Sequence, residues 1–158
     1  VELEAYLETF LKEQTMCTLA TSSGDHPRAT PLEYYSEGLT LYLFADRGVK
    51  TRNLEVNPNL SIAVCNTFNP NWENDDWKGL RSAQITAHSE LLTADSPEWE
   101  HALNVYKWQP FMRLLGRDGD HVSRERLVLK VTPYKIELMD FGLIRRGYGG
   151  RQVWESTA

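Results

Sequence analysis

The feature that most narrows the possible folds is how closely β-prone runs follow one another. MCTLAT (16–21), RATPLEYY (28–35) and LTLYLFA (39–45) are separated only by SSGDHP and by a tight turn at Ser36-Glu37-Gly38. Parallel neighbours need a crossover of roughly a dozen residues or more, so these runs must pair as antiparallel hairpins. LSIAVCNTF, SAQITAHSELL and RLVLKVTPYKIELMDF continue the series, the last being either one long strand or two divided at Pro133. Pro31 places its strand at an edge or a bulge, because proline has no amide to give a ladder.

Helical spacing is confined to a few places. Leu3, Tyr6, Leu7, Phe10 and Leu11 repeat as one apolar stripe opposite Glu2, Glu4, Glu8 and Lys12. VKTRNLEV is a short helix stopped by Asn57-Pro58, and a second long helix is expected from Asp95-Ser96-Pro97-Glu98 onward, interrupted by Pro110. About six hairpin-linked strands with helices at the periphery describe a mainly β chain, a small antiparallel β-barrel. The 158 residues suit one domain spanning 1–158.

Composition excludes several functions. A net charge of −5 gives no bulk attraction to nucleic acid or an anionic membrane. The acidic start VELEAYLETFLKEQ is not a signal peptide, and no run of the ~18 apolar residues needed to span a membrane occurs. The expectation is a soluble, cytoplasmic protein. Cys17 and Cys65 lack CxxC spacing and read as buried free thiols, a disulfide between neighbouring strands being the alternative. His26, His88, His101 and His121 have no ligand spacing, so no metal site is expected. Glu73, Asp75 and Asp76 form an acidic cluster without calcium-loop geometry. Trp72 and Trp77, in the polar loop 69–81, either pack on the body or a partner or serve as a lid.

The best local signal for chemistry is DRGVKTRN. Arg47, Lys50 and Arg52 concentrate positive charge where a strand ends and a helix begins, and free backbone amides there favour a phosphate. Thr51 adds a hydroxyl, and the alternative is a solvated cationic helix face. Arg28, next to a turn, is either an inward guanidinium seeking an anion or a rim residue. No nucleophile with a recognisable base and no dinucleotide or phosphate-loop glycine motif is present, so any enzymatic chemistry would belong to a cofactor.

Taken together, CTLATSSGDHPRATPLEYYSEGLTLYLFADRGVKTRNLEVNPNLSIAVC resembles the first half of the pyridoxamine 5′-phosphate oxidase-like, FMN-binding split-barrel family. The likeness lies in the G-x-P turn, the extended arginine segment, the hairpin, and the helix K-x-R-N-L followed by N-P. SAQITAHSELL and LVLKVTPYKIELMD resemble later strands, so the match covers residues 1–141. The resemblance implies a six-stranded split barrel, a homodimer, and FMN in clefts between subunits. It assigns Lys50 to the FMN phosphate with Arg28 and Thr51 as helpers. Ala29, Thr30 and Pro31 would lie along the isoalloxazine, Phe44, Ala45 and Asp46 would line the site, and Gln84 would bond the flavin's polar end.

The chain also departs from the family. Ala87 and Ser89 stand where Gly and Ala are frequent, Gly48 stands where a phosphate-binding Ser is common, and Arg145, Arg146 and Trp154 do not reproduce the substrate motif of true pyridoxamine phosphate oxidases. The implied activity is an FMN-dependent oxidoreductase passing hydride or electrons between a donor such as NAD(P)H and a small-molecule acceptor. No catalytic side chain can be named. The alternative is a non-catalytic module that carries flavin or haem for storage, sensing or stress response.

Overall fold

The computed structural model describes residues 2–67, 71, 73, 74, 78–119 and 121–157. Trp72, Asp75, Asp76 and Trp77 lie outside that set. The chain begins with α1 (Leu3–Glu13), then β1 (Met16–Ser23), β2 (His26–Glu33), β3 (Tyr35–Glu37), β4 (Thr40–Ala45), α2 (Val49–Val56), β5 (Asn59–Cys65) and β6 (Arg81–Leu92). It continues through α3 (Trp99–Tyr106), α4 (Trp108–Leu114), β7 (Leu127–Asp140), α5 (Phe141–Arg145) and β8 (Gln152–Glu155).

All strand pairs are antiparallel, in the order β2-β1-β5-β6-β7-β4-β3, with β8 added to β7. The mainly β antiparallel barrel expected from the hairpins is what forms. Among the described residues it has eight strands, not six. One extra strand arises because Tyr34 divides the run 26–37 into β2 and β3: its amide bonds the Thr15 carbonyl at 3.0 Å and its hydroxyl donates to the Leu11 carbonyl at 2.7 Å. The other is β8, which pairs with the second half of β7.

Strong alternation in β1 and β5 separates an inner from an outer face. Leu19, Ile62 and Ile85 point inward and are fully buried with Leu7, Phe10 and Leu11 of α1, which plugs the curl of the sheet. Burying each such side chain stabilises the fold by roughly 1.5–3 kcal/mol. β4 is buried on both faces, because Tyr42 and Phe44 form a second cluster with Trp99, Tyr106, Trp108 and Met112 of α3 and α4. β2 approaches β4 as the sheet curls, but no ladder joins them. That unpaired seam is where a barrel is split.

Two prolines behave differently from expectation. Pro133 lies within a continuous β7, in the stretch between the β4 partners (Leu127–Val131) and the β8 partners (Lys135–Leu138), so no ladder needs its amide on that side. A register shift opposite Thr86 and Ala87 absorbs the extra residue. The helix expected from Asp95 begins only at Trp99, and the break falls at Lys107, not Pro110. Lys107 takes a left-handed conformation (φ 59°) that ends α3, and Pro110 falls in the first turn of α4, where an absent amide is harmless.

Cys17 is buried and Cys65 exposed, both free. Cys17 alternates inward on β1 and Cys65 outward on β5, which rules out a disulfide between these neighbouring strands. Among the described residues no helix is long and apolar enough to cross a membrane.

Candidate functional site

The cations at α2 are held against the β1–β2 hairpin by two side-chain amides, one of them buried. Asn53 Nδ2 donates to Thr21 Oγ1 and to the His26 carbonyl, each at 3.2 Å, and Asn57 Nδ2 donates to the Ser22 carbonyl at 3.2 Å. Thr21 is the cross-strand partner of Arg28, so the two side chains share the face on which α2 packs. The geometry therefore brings Arg28 and the start of α2, with Lys50, to one side of one hairpin. No ion pair joins Arg28, Arg47, Lys50 or Arg52 to any described residue. Lys50 is half-buried, while Arg28 is exposed at the edge of the sheet.

Thr51 does something else. Its hydroxyl accepts from the Gly48 amide at 2.8 Å and donates to the Gly48 carbonyl at 3.0 Å, closing the first turn of α2. That hydroxyl is engaged and buried, so Thr51 orders the helix start on which Lys50 sits. Thr30, on the same face of β2 as Arg28, shows the opposite condition. Its hydroxyl oxygen is buried without a partner. Such an orphan costs about 1–3 kcal/mol unless something satisfies it.

The remaining residues lie elsewhere. Ala29 and Pro31 alternate to the outer face, where Ala29 pairs across Ala20 to Ser61, and Pro31 across Thr18 to Ala63 and Gln84. All seven are exposed. Gln84 stands three strands from β2, about 14 Å at ordinary strand spacing. A single chain thus separates Gln84 from the cations.

Phe44, Ala45 and Asp46 mark the end of β4 at the seam. Extending the β3–β4 register (Tyr35↔Tyr42, Glu37↔Thr40) would set Pro31 opposite Asp46. The Phe44 ring is stacked on Tyr106 at 3.9 Å and is 7% exposed, so what it can offer a ligand is its backbone. Burial, with Glu33 close by, raises the Tyr106 phenol above its usual range, leaving it neutral. Asp46 bonds Arg126 at 2.7 Å, and that guanidinium lies 4.8 Å over Phe44. Next to them opens a cavity of ≈ 250 Å³ lined by Ala45, Asp46, Arg47, Ser123, Glu125, Arg126 and Leu127.

Arg126, Asn53 and Thr21 carry weight that the sequence does not advertise. The Asn at the fourth position of K-x-R-N-L was a motif letter without a role, and its role is to fasten the helix. Nothing local marks Arg126, which reaches β4 only because β7 pairs with it (Ala45↔Leu127).

The pyridoxamine 5′-phosphate oxidase family model matches residues 3–140, most of the chain. The chain belongs to the pyridoxamine 5′-phosphate oxidase-like split-barrel family. Solved relatives share its fold. A conserved hypothetical protein from Mycobacterium tuberculosis covers 100% of this chain and 96% of its own at 20% identity, TM-score 0.66. An FAD-binding protein from Mesorhizobium loti covers 85% and 91% at 17% identity, TM-score 0.64. The haem storage protein HutZ of Vibrio cholerae covers 84% and 91% at 18% identity, TM-score 0.61. At these identities the likeness establishes the fold alone. No curated protein matches this member of the family in sequence. The family's split barrels include flavin-binding and haem-binding proteins.

The residues present fit a flavin phosphate. Cations not ion-paired to any described residue flank an amide-rich helix start, the buried Thr30 hydroxyl on Arg28's face of β2 lacks a partner among the described residues, and the ring's expected platform of Ala29 and Pro31 is bare.

Proposed function

We propose that this chain is an FMN-binding oxidoreductase that works as a homodimer. The observation that carries the reading is the convergence of Arg28 and Lys50. Asn53 holds α2, whose second residue is Lys50, on the face of the β1–β2 hairpin that carries Arg28, and neither cation is ion-paired to a described residue. A phosphate monoester is the anion this arrangement suits, being doubly charged and rich in acceptors. Bound FMN would supply hydride and electron transfer between NAD(P)H and a small-molecule acceptor. The chain's own residues bind and orient: Lys50 and Arg28 hold the phosphate, Thr51 fixes the helix start, and the edge of β2 at Ala29, Thr30 and Pro31 borders the ring.

What the single chain leaves uncovered supports the homodimer reading. Met16, Thr18, Ala20, Ser61, Ala63, Cys65 and Gln84 form one exposed, small-residue sheet face. A second copy laid on that face would cover it and bring its own Gln84 toward the first copy's β2. A cytoplasmic location accords with the free thiols Cys17 and Cys65.

Purified protein should be yellow or turn yellow on reconstitution with FMN, and NADH or NADPH should bleach the flavin bands. Protein that ignores added FMN rejects the reading. Flavin that binds but resists both nicotinamides favours a carrier over an enzyme. A haem carrier is the second reading, favoured by exposed His88 against Tyr134 at 4.7 Å between ring centres, and a Soret band on haem addition would mark it.

A further inference from the structure

A hollow of ≈ 290 Å³ lies where the end of α1, the short strand β3 and the junction of α3 with α4 meet. It shares no residue with the candidate flavin site. In a chain of net charge −5, it is lined by two lysines, Lys12 and Lys107, and by no described carboxylate. Neither lysine is ion-paired to a described residue. We propose that this hollow is a binding site for a short-chain dicarboxylate.

The walls are set by the fold itself. Tyr34, fully buried, donates its hydroxyl to the Leu11 carbonyl and its amide to the Thr15 carbonyl, which fixes the end of α1 against β3. Lys107 is the only described residue other than glycine at positive φ. Glycine or asparagine suits such a helix end at lower conformational cost. A lysine there brings an ammonium over the Tyr35 ring, 5.4 Å from its centre. Lys12 lines the hollow from the last turn of α1. The two charges thus come from separate elements, which suits two carboxylates at the ends of a short chain. Gln14, Thr15 and Ser36 add neutral donors, and Leu11 and Val105 give the intervening methylenes an apolar wall. At ~30 Å³ for each water-sized group, ≈ 290 Å³ holds about ten non-hydrogen atoms, which admits a short diacid and excludes a nucleotide. Helix ends expose carbonyls, which by themselves favour the lysines over an anion. Here those of Leu11, Leu103 and Asn104 already accept hydrogen bonds, from the Tyr34 hydroxyl and the Lys107 amide. The carboxylates adjoining the lining residues in sequence are engaged elsewhere: Glu13 holds Arg81 at 3.1 Å and Glu37 holds His101 at 2.9 Å. Glu8, one turn before Lys12, lines a neighbouring hollow and is exposed to water.

The test is calorimetric titration of the full chain with succinate, at ionic strength held constant with sodium chloride. Saturable binding is expected, at least about tenfold tighter than for butyrate, which has the same chain length and one carboxylate. Lys107→Asn removes the charge but suits the left-handed turn. It should leave the melting temperature unchanged or higher while weakening succinate roughly tenfold, a pair of effects that a merely structural lysine would not give. Lys12→Gln, on the exposed end of α1, should weaken succinate to a similar degree and decides the matter should Lys107→Asn fail to fold. Saturating FMN should leave succinate binding unchanged. No saturable heat, equal affinity for butyrate or for sulfate, or undiminished binding in either lysine variant overturns the site. So does displacement of succinate by FMN, which would put the diacid at α2 instead.

Discussion

Lys50 offers the sharpest perturbation. It is the second residue of α2, half-buried, and in contact with no anionic side chain among the described residues. Truncating it should leave the fold almost untouched, because no ion pair to a described residue is lost and alanine is the better helix former. Its effect should fall on the ligand. A charge-assisted bond to phosphate is worth about 1.5–3 kcal/mol, and partial exposure argues for the lower half of that range. At about 1.4 kcal/mol per decade, Lys50→Ala should weaken FMN binding by roughly 10- to 40-fold. Lys50→Arg, which keeps the charge, should recover most of it. The assay is fluorescence titration at low and moderate salt, with thermal melting of the apo-protein as control. The wild-type affinity should fall with salt, and the variant's should fall less steeply. An FMN affinity within about twofold of wild type, with melting unchanged, would falsify the phosphate assignment.

Other consequences can be checked with ordinary tools. Asn53→Ala leaves Thr21 Oγ1 and the His26 carbonyl without their donor beneath α2, so unfolding should require about 1–3 kcal/mol less, measured in urea, and FMN binding should suffer with it. Burial pushes the Cys17 thiol up to about 12 and raises the Tyr34 and Tyr106 phenols as well. These groups stay protonated in the folded chain after they ionise in the unfolded one, so the unfolded state binds fewer protons and stability falls as pH rises above about 9. Melting temperature should decline there, less steeply in Cys17→Ala; a flat profile contradicts the burial argument. A thiol reagent should leave Cys17 unmodified in native protein and reach it once denaturant opens the core. Ala63→Glu sets a charge in the middle of the bare sheet face and should shift size-exclusion elution from dimer to monomer without lowering helix or strand content.

Much of the fold was legible because it is encoded locally. Turns at Gly24 and Gly38, both at positive φ, are too short for anything but hairpins, and the period-two pattern of β1 and β5 sets which face is inside. What misled was non-local. Pro110 is a helix breaker by itself, yet the break is placed by Lys107, where α3 and α4 fold over Phe44 and Tyr42. The short β-prone end of the tail forms β8 because β7 has an unpaired edge to offer, which no local signal shows.

The site divides the same way. The cationic start of α2 was visible as charge spacing. That Thr51 would turn its hydroxyl back on Gly48 was not, because a capping contact and a ligand contact have the same letters. Nor could spacing say that Ala29 and Gln84 face away from Arg28, since that depends on the register between β2, β1, β5 and β6.

The most direct measurement compares FMN with riboflavin, which differs only in lacking the phosphate. Titrated into the same apo-protein, FMN should bind at least about tenfold more tightly than riboflavin, and Lys50→Ala should erase most of the difference. Equal affinity for the two would show that the cations of Arg28 and Lys50 do not hold the phosphate.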